Sequence, residues 1–110
     1  MDNKEYNEFI NNIIEPFKEL EKLQLLELEN TKLLIEEYIK NNNQDEEEIS
    51  HLFDLLLDLT YWFGESIKDT YYRLLNYVKT FNFELANDYE SYFKEIVSED
   101  EIKLIKELPQ

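Results

Sequence analysis

The chain reads as all-α: a small antiparallel helical bundle of three to five helices, the second long, with a kink allowed at Gly64. Three observations predict this. One Gly and two Pro in 110 residues leave almost no turn vocabulary for a sheet. Apolar residues recur at spacings of three and four, and strand-like alternation is missing. Hydrophobic residues make up 43% of the chain, with 8 Tyr, 7 Phe and 1 Trp. That supplies a core which a disordered acidic chain would lack. A chain of this length fits one domain, residues 1–110.

The first helical stretch covers 3–40. Ile10, Ile13, Ile14, Phe17 and Leu20 mark its early apolar face, which is expected to be buried. Pro16 falls inside the pattern, so it kinks the helix or starts a second one. Leu20, Leu23, Leu25, Leu26 and Leu28 then spread over much of the circumference, which predicts a helix central to the bundle. The Asn-Asn-Asn-Gln run at 41–44 ends it.

Asp45 is the expected N-cap of the next helix, with Glu46, Glu47 and Glu48 in the first turn, where the macrodipole favours anions. Capping alone accounts for this acidic run. At 100° per residue, Ile49, Leu52, Phe53, Leu56, Leu59 and Phe63 cluster on one side of the helix. Glu47, His51, Asp54, Asp58, Tyr61 and Glu65 lie within about 40° of one line on the other. The phase continues beyond Gly64, with Ile67, Leu74 and Val78 on the apolar face and Asp69 and Tyr72 opposite. Continuity favours one helix over 46–79. Gly64 followed by Ser66-x-x-Asp69, close to a capping box, favours a break. The phase tips the reading towards a long helix. A connection at 81–83 leads to a helix over 83–97. Ser98-Glu99-Asp100-Glu101 is a capping box that opens a last short helix, 99–107, with the apolar residues Ile102, Leu104, Ile105 and Leu108, and Pro109 terminates it.

Several function classes lose their footing here. Cysteine is absent, which removes disulfides and thiolate chemistry. Met1-Asp2-Asn3-Lys4-Glu5 has neither the basic nor the apolar region of a signal peptide, and 52–63 is too short to span a bilayer. A cytoplasmic location is expected. A formal charge of −15 opposes direct contact with nucleic acid or an anionic membrane and favours a basic protein partner. Homo-oligomers are compatible with the sequence. Abundant Asn, Lys, Ile, Tyr and Phe, mostly with A/T-rich codons, point to a bacterial or phage source.

Catalytic material is sparse. His51 is the single histidine and Gly64 the single glycine, so neither a Cys-His pair nor a phosphate-cradling loop can be assembled. Glu48-x-x-His51 matches one half of a di-iron bundle motif, and the second half is missing. A carboxylate-only Mg²⁺ or Mn²⁺ site, as in all-α nucleotide pyrophosphohydrolases, would have to use Asp45-x-x-Glu48 and Glu65-x-x-x-Asp69, both imperfect. The chain is read as a non-enzyme without cofactor or metal, with the metal-dependent hydrolase as an alternative.

Trp62-Phe63-Gly64 forms a WxG tripeptide. It resembles the turn of the WxG helical-hairpin proteins of type VII secretion, which are also short, cysteine-free and often acidic. The resemblance implies a helical hairpin and a role as a secretion partner. It covers three residues. About forty residues of helix precede the arm leading to it, and no Tyr-x-x-x-Asp/Glu follows near the C-terminus.

The most informative pattern is acidic. The 27 residues between Lys40 and Lys68 hold seven carboxylates and no Lys or Arg. Solvated helix faces ordinarily mix signs, because like charges at i,i+4 repel. Here Asp54 and Asp58 stand one turn apart without a nearby cation in sequence. Rise per residue places them ~6 Å apart, with Glu47 and Glu65 ~10 Å beyond either end. That spacing is close to a row of backbone phosphates, ~7 Å apart along one strand. A second segment, 80–93, also lacks Lys and Arg and mixes Glu84, Asp88 and Glu90 with Phe81, Phe83, Tyr89 and Tyr92. The expected function is an acidic helical inhibitor that occludes a basic partner, a toxin or a nucleic-acid-handling enzyme, in the manner of an immunity or anti-defence protein. Its docking residues would be Glu47, Asp54, Asp58, Tyr61, Glu65, Asp69 and Tyr72. A structural or adaptor protein that works through apolar surface is the competing class.

Overall fold

The computed structural model describes residues 3–107, and the side chains of residues 3–98. Helices account for nearly all of it, and no strand occurs among the described residues. Helix α1 (Asn3–Phe9) passes through a π-helical turn (Ile10–Ile14) into α2 (Glu15–Lys40). Helix α3 (Glu46–Phe63) is followed by a 3₁₀ turn (Gly64–Ile67), α4 (Lys68–Lys79) and α5 (Phe83–Glu107).

Pro16 explains the π turn. Its ring crowds the carbonyl four residues back, that of Asn12, and it brings no N–H to bond there. The helix accommodates this by widening through Ile10–Ile14 rather than by breaking. The expected kink or break is therefore a wide turn within one continuous helical arm.

The α2–α3 turn is well built. Asn42 adopts a left-handed conformation, φ 54°, which asparagine tolerates. The Asp45 carboxylate accepts the Glu48 N–H at 2.9 Å, as its N-cap role requires. The Asn43 side chain accepts the Asp45 N–H at 2.9 Å and donates to the Glu48 carboxylate at 2.8 Å. The Tyr77 hydroxyl donates to the Asn43 carbonyl and pins the turn to the end of α4.

At Gly64 the structure departs from the long-helix reading. Gly64 takes φ 60°, ψ −139°, a backbone region essentially restricted to glycine. The chain reverses there, so α4 runs antiparallel to α3 and alongside α2. Two links fix that direction: Arg73 to Glu36 (2.8 and 3.0 Å), and Tyr77 to Asn43. Phase continuity across Gly64 misleads because both arms of a hairpin turn an apolar face to the same core. Trp62 and Phe63 thus end α3, and Gly64 opens the turn between α3 and α4.

Helix α5 also differs from expectation. It runs unbroken from Phe83 to Glu107, straight through Ser98-Glu99-Asp100-Glu101. A capping box opens a helix only where the chain has already left helical geometry. No Gly or Pro interrupts this stretch, so its residues remain inside the helix. Pro109, read as the stop, lies outside the described residues, as does Leu108.

The core lies among the C-terminal half of α2, α3, α4 and the first half of α5. Leu28 and Ile35 meet Ile49, Leu52, Phe53, Leu56 and Leu59 of α3, Ile67 of the turn, Tyr71, Leu74, Leu75 and Val78 of α4, and Ala86 and Phe93 of α5. Aromatic stacking runs through it: Phe53 on Tyr89 and Tyr71 on Phe93, each with ring centroids 4.5 Å apart. The buried hydroxyls are satisfied locally. Thr31 and Thr60 donate to carbonyls one turn back, and Tyr71 donates to the Tyr89 carbonyl at 2.6 Å.

The early apolar face does not join this core. No residue of α1 or the π turn is buried, and the first buried side chain of α2 is Leu28. Ile10 and Ile14 are half-covered, while Ile13, Phe17, Leu20, Leu23, Leu25 and Leu26 are exposed, Leu23 by 61%. Helix α2 is central only in its second half, because α3 is too short to lie alongside the rest. The radius of gyration, 18.2 Å, exceeds the roughly 13 Å of a compact chain this long.

Candidate docking surface

Helix α3 turns two kinds of residue outward. Glu47, Asp54, Asp58 and Tyr61 are exposed on it, Tyr61 by 69%. They share that position because the opposite positions, Ile49 to Leu59, are the ones the core demands. Asp54 leans towards α5, where its carboxylate accepts the Tyr89 hydroxyl at 3.1 Å. Burial first, and then this carboxylate, pushes the Tyr89 phenol above its ordinary range, so it stays protonated and donating. Burial likewise raises the Tyr71 phenol beneath it.

Asp58 leans the other way. It lines a groove of about 460 Å³ between α2 and α3, together with Leu23, Leu26, Glu27, Leu55 and Trp62. The groove is apolar along its floor, carries two carboxylates and has no Lys or Arg in its lining. Trp62 is 39% exposed at its mouth, with its ring centroid 6.0 Å from that of Phe17.

The other three expected docking residues leave this face, because the chain reverses at Gly64. Glu65, in the 3₁₀ turn, borders a different groove with Lys68, Tyr72 and Lys94. Tyr72 is half-buried there, edge-on to Phe93. Asp69 lines the α2–α4 groove with Lys32 and Arg73. Cations therefore accompany Glu65 and Asp69 in space, and the basic-residue-free surface shortens to Glu47, Asp54 and Asp58.

The carboxylates considered for a metal do not converge. Asp45 and Glu48 are engaged in the α2–α3 turn, and Glu65 and Asp69 face separate grooves. Among the described residues no group of three or more His, Cys, Asp or Glu is placed to hold a metal ion. No described helix is long and apolar enough to cross a membrane.

Sequence reasoning missed the groove's contributors, Leu23, Leu26, Glu27 and Trp62. The breadth of the Leu20–Leu28 apolar surface was their signal. A helix apolar over so much of its circumference is either central or carries surface that nothing covers, and periodicity does not distinguish the two. No protein-family model, curated protein or solved structure matches the chain.

Proposed function

We propose that this protein is a non-catalytic inhibitor that lays the outer face of α3 against a basic surface of a partner protein and occludes it. The observation that carries the reading is one helix that exposes Glu47, Asp54, Asp58 and Tyr61 within a 27-residue segment free of Lys and Arg. Carboxylates in such a row steer association with a cationic surface, while Tyr61 and Trp62 supply the area that holds the complex. A partner groove built for nucleic acid is cationic and suits such a face. Toxins and nucleic-acid-handling defence enzymes have such grooves, so an immunity or anti-defence role fits.

The test is capture at low salt from a host lysate, followed by a salt gradient, with three forms of the protein. Wild type is expected to release its partner as salt rises, since screening shortens the reach of surface charge. Asp54→Lys/Asp58→Lys is expected to capture none of it. Asp69→Lys, on the α2–α4 side, is expected to behave as wild type. Equal capture by the Asp54/Asp58 variant would reduce the row to a solvated face.

A second reading is favoured by the exposed apolar arm. Tyr6, Phe9, Ile13, Phe17 and Leu20 suit a structural or adaptor protein that joins helices through apolar surface. Its association would survive high salt, which separates the two readings.

A further inference from the structure

We infer that the groove between α2 and α3 receives an arginine side chain of the partner protein, its guanidinium held by Glu27, Asp58 and the Trp62 indole and its aliphatic stem by the leucines. This rests on the reading of the protein as a binder of a basic partner, and it adds the place where that partner is anchored.

The two walls of the groove are built alike. Leu23, Leu26, Glu27 and Asn30 stand at i, i+3, i+4 and i+7 on α2. Leu55, Asp58, Leu59 and Trp62 repeat that spacing on α3. Each wall is therefore one face of its helix, and each combines apolar residues with a single carboxylate. Leu59 belongs to the core and forms the floor, while Leu23 and Leu26 remain exposed at the rim. The Phe17 ring stands against the Trp62 indole, 6.0 Å between centroids, and does not itself line the groove. The N-terminal arm thus props the indole in place and leaves the groove open.

Charge decides what fits there. No Lys or Arg lines the groove, and among the described residues neither the Glu27 nor the Asp58 carboxylate is hydrogen-bonded or ion-paired. A neutral apolar side chain would strip water from both carboxylates and put nothing in its place, which is costly. An anion would be repelled by both. A cation on an aliphatic stem answers every wall: its methylenes cover the leucines and its charge pairs with the carboxylates. Trp62 favours a guanidinium over an ammonium, because a planar, weakly hydrated group stacks on an indole face and still forks to a carboxylate. The volume of about 460 Å³ falls among ligand pockets of ~300–1,000 Å³, which leaves room for an arginine and an aliphatic neighbour. Asp58 belongs both to this groove and to the exposed row of α3, so a partner laid on that row reaches the groove beside it.

Trp62 is the single tryptophan, so its indole N–H resonance reports on the groove. The probe is acetyl-Leu-Arg-amide, with acetyl-Leu-citrulline-amide as a neutral counterpart of nearly the same shape. The arginine dipeptide is expected to shift the indole resonance with millimolar affinity, and the citrulline dipeptide to bind at least ~10-fold more weakly. Glu27→Gln keeps the side-chain shape and removes one charge; it is expected to weaken the arginine dipeptide ~5-fold or more. Asp88→Asn removes the same charge from the exposed side of α5 and is expected to leave binding unchanged. Equal binding of the two dipeptides overturns the inference, and so does a Glu27→Gln protein that binds as wild type does. An Asp88→Asn protein weakened as much as Glu27→Gln also overturns it, since net charge alone would then be at work. Partner capture is a separate readout. If Asp54→Lys/Asp58→Lys abolishes capture while the dipeptide leaves Trp62 unmoved, the acidic face stands and the arginine anchor falls. If the dipeptide binds and wild type captures no basic partner, arginine recognition stands and the inhibitor reading falls.

Discussion

Residues 3–27 and residues 28–98 carry apolar side chains at the same helical spacing, yet only the second set contains buried ones. In the bundle, Phe53 stacks on Tyr89 and touches Tyr71, and every apolar position facing inward on α3 is closed off. In the arm, Phe9 and Phe17 stand largely in solvent. The chemistry of the two regions is alike, and the number of neighbouring helices is not. Amphipathicity states that a face wants burial; whether it is buried depends on what lies across from it.

The largest expected effect tests that contrast directly. Phe53→Ala should cost ~3–5 kcal/mol in denaturant unfolding, because it empties a fully enclosed site between the Tyr71 and Tyr89 rings. Phe9→Ala should leave the unfolding of the monomeric bundle within ~0.5 kcal/mol of wild type. A comparable loss from Phe9→Ala in a monomer would show that the arm folds back onto the core, and the contrast would collapse.

A middle-sized effect is expected at the hairpin turn. A methyl group on Gly64 would meet nothing within 4 Å, so Gly64→Ala isolates backbone strain from packing. The cost should be ~1–3 kcal/mol, set by φ 60° with ψ −139°. Thermal unfolding measures it. A neutral substitution would mean that α3 and α4 straighten towards the single long helix that phase continuity suggested.

The smallest effect concerns the tie between the bundle half of α2 and α4. Arg73 bonds Glu36 and holds its carboxylate below the usual range, first through the hydrogen bond and also through charge. A lowered folded-state pKa means that the stabilisation is fully present above the unfolded carboxylate range and is lost as pH falls through the folded value. Both groups are exposed, so the contribution is small and salt-screened. Glu36→Gln should flatten the acid limb of the stability curve slightly, and in high salt the two curves should coincide. A large effect would mean that α2 is held to α4 by charge rather than by Leu28 and Ile35.

Much of the architecture was legible in the sequence for local reasons. Helix α3 announces itself through Asp45 as cap, glutamates in the first turn and an apolar face from Ile49 to Leu59, all set by interactions within a few residues. The Asn-rich turn was legible for the same reason. The row proposed for docking was half legible: the exposure of Glu47, Asp54 and Asp58 on one helix follows from helical phase alone. Glu65, Asp69 and Tyr72 did not stay with them. A hairpin and a straight helix present the same apolar period, and only the positive φ of Gly64 separates them. The capping box at Ser98 failed in the opposite sense, a local signal without a chain reversal to use it.

Composition and periodicity therefore determined that this protein is helical and acidic, and which side of each helix is apolar, since those properties are set within one or two turns of chain. The tertiary structure decided the direction in which α4 returns, the company that Glu65 and Asp69 keep, and the point along α2 where the core ends. Those depend on which segments lie side by side, and a helix of eighteen residues beside one of twenty-six leaves part of the longer one without cover.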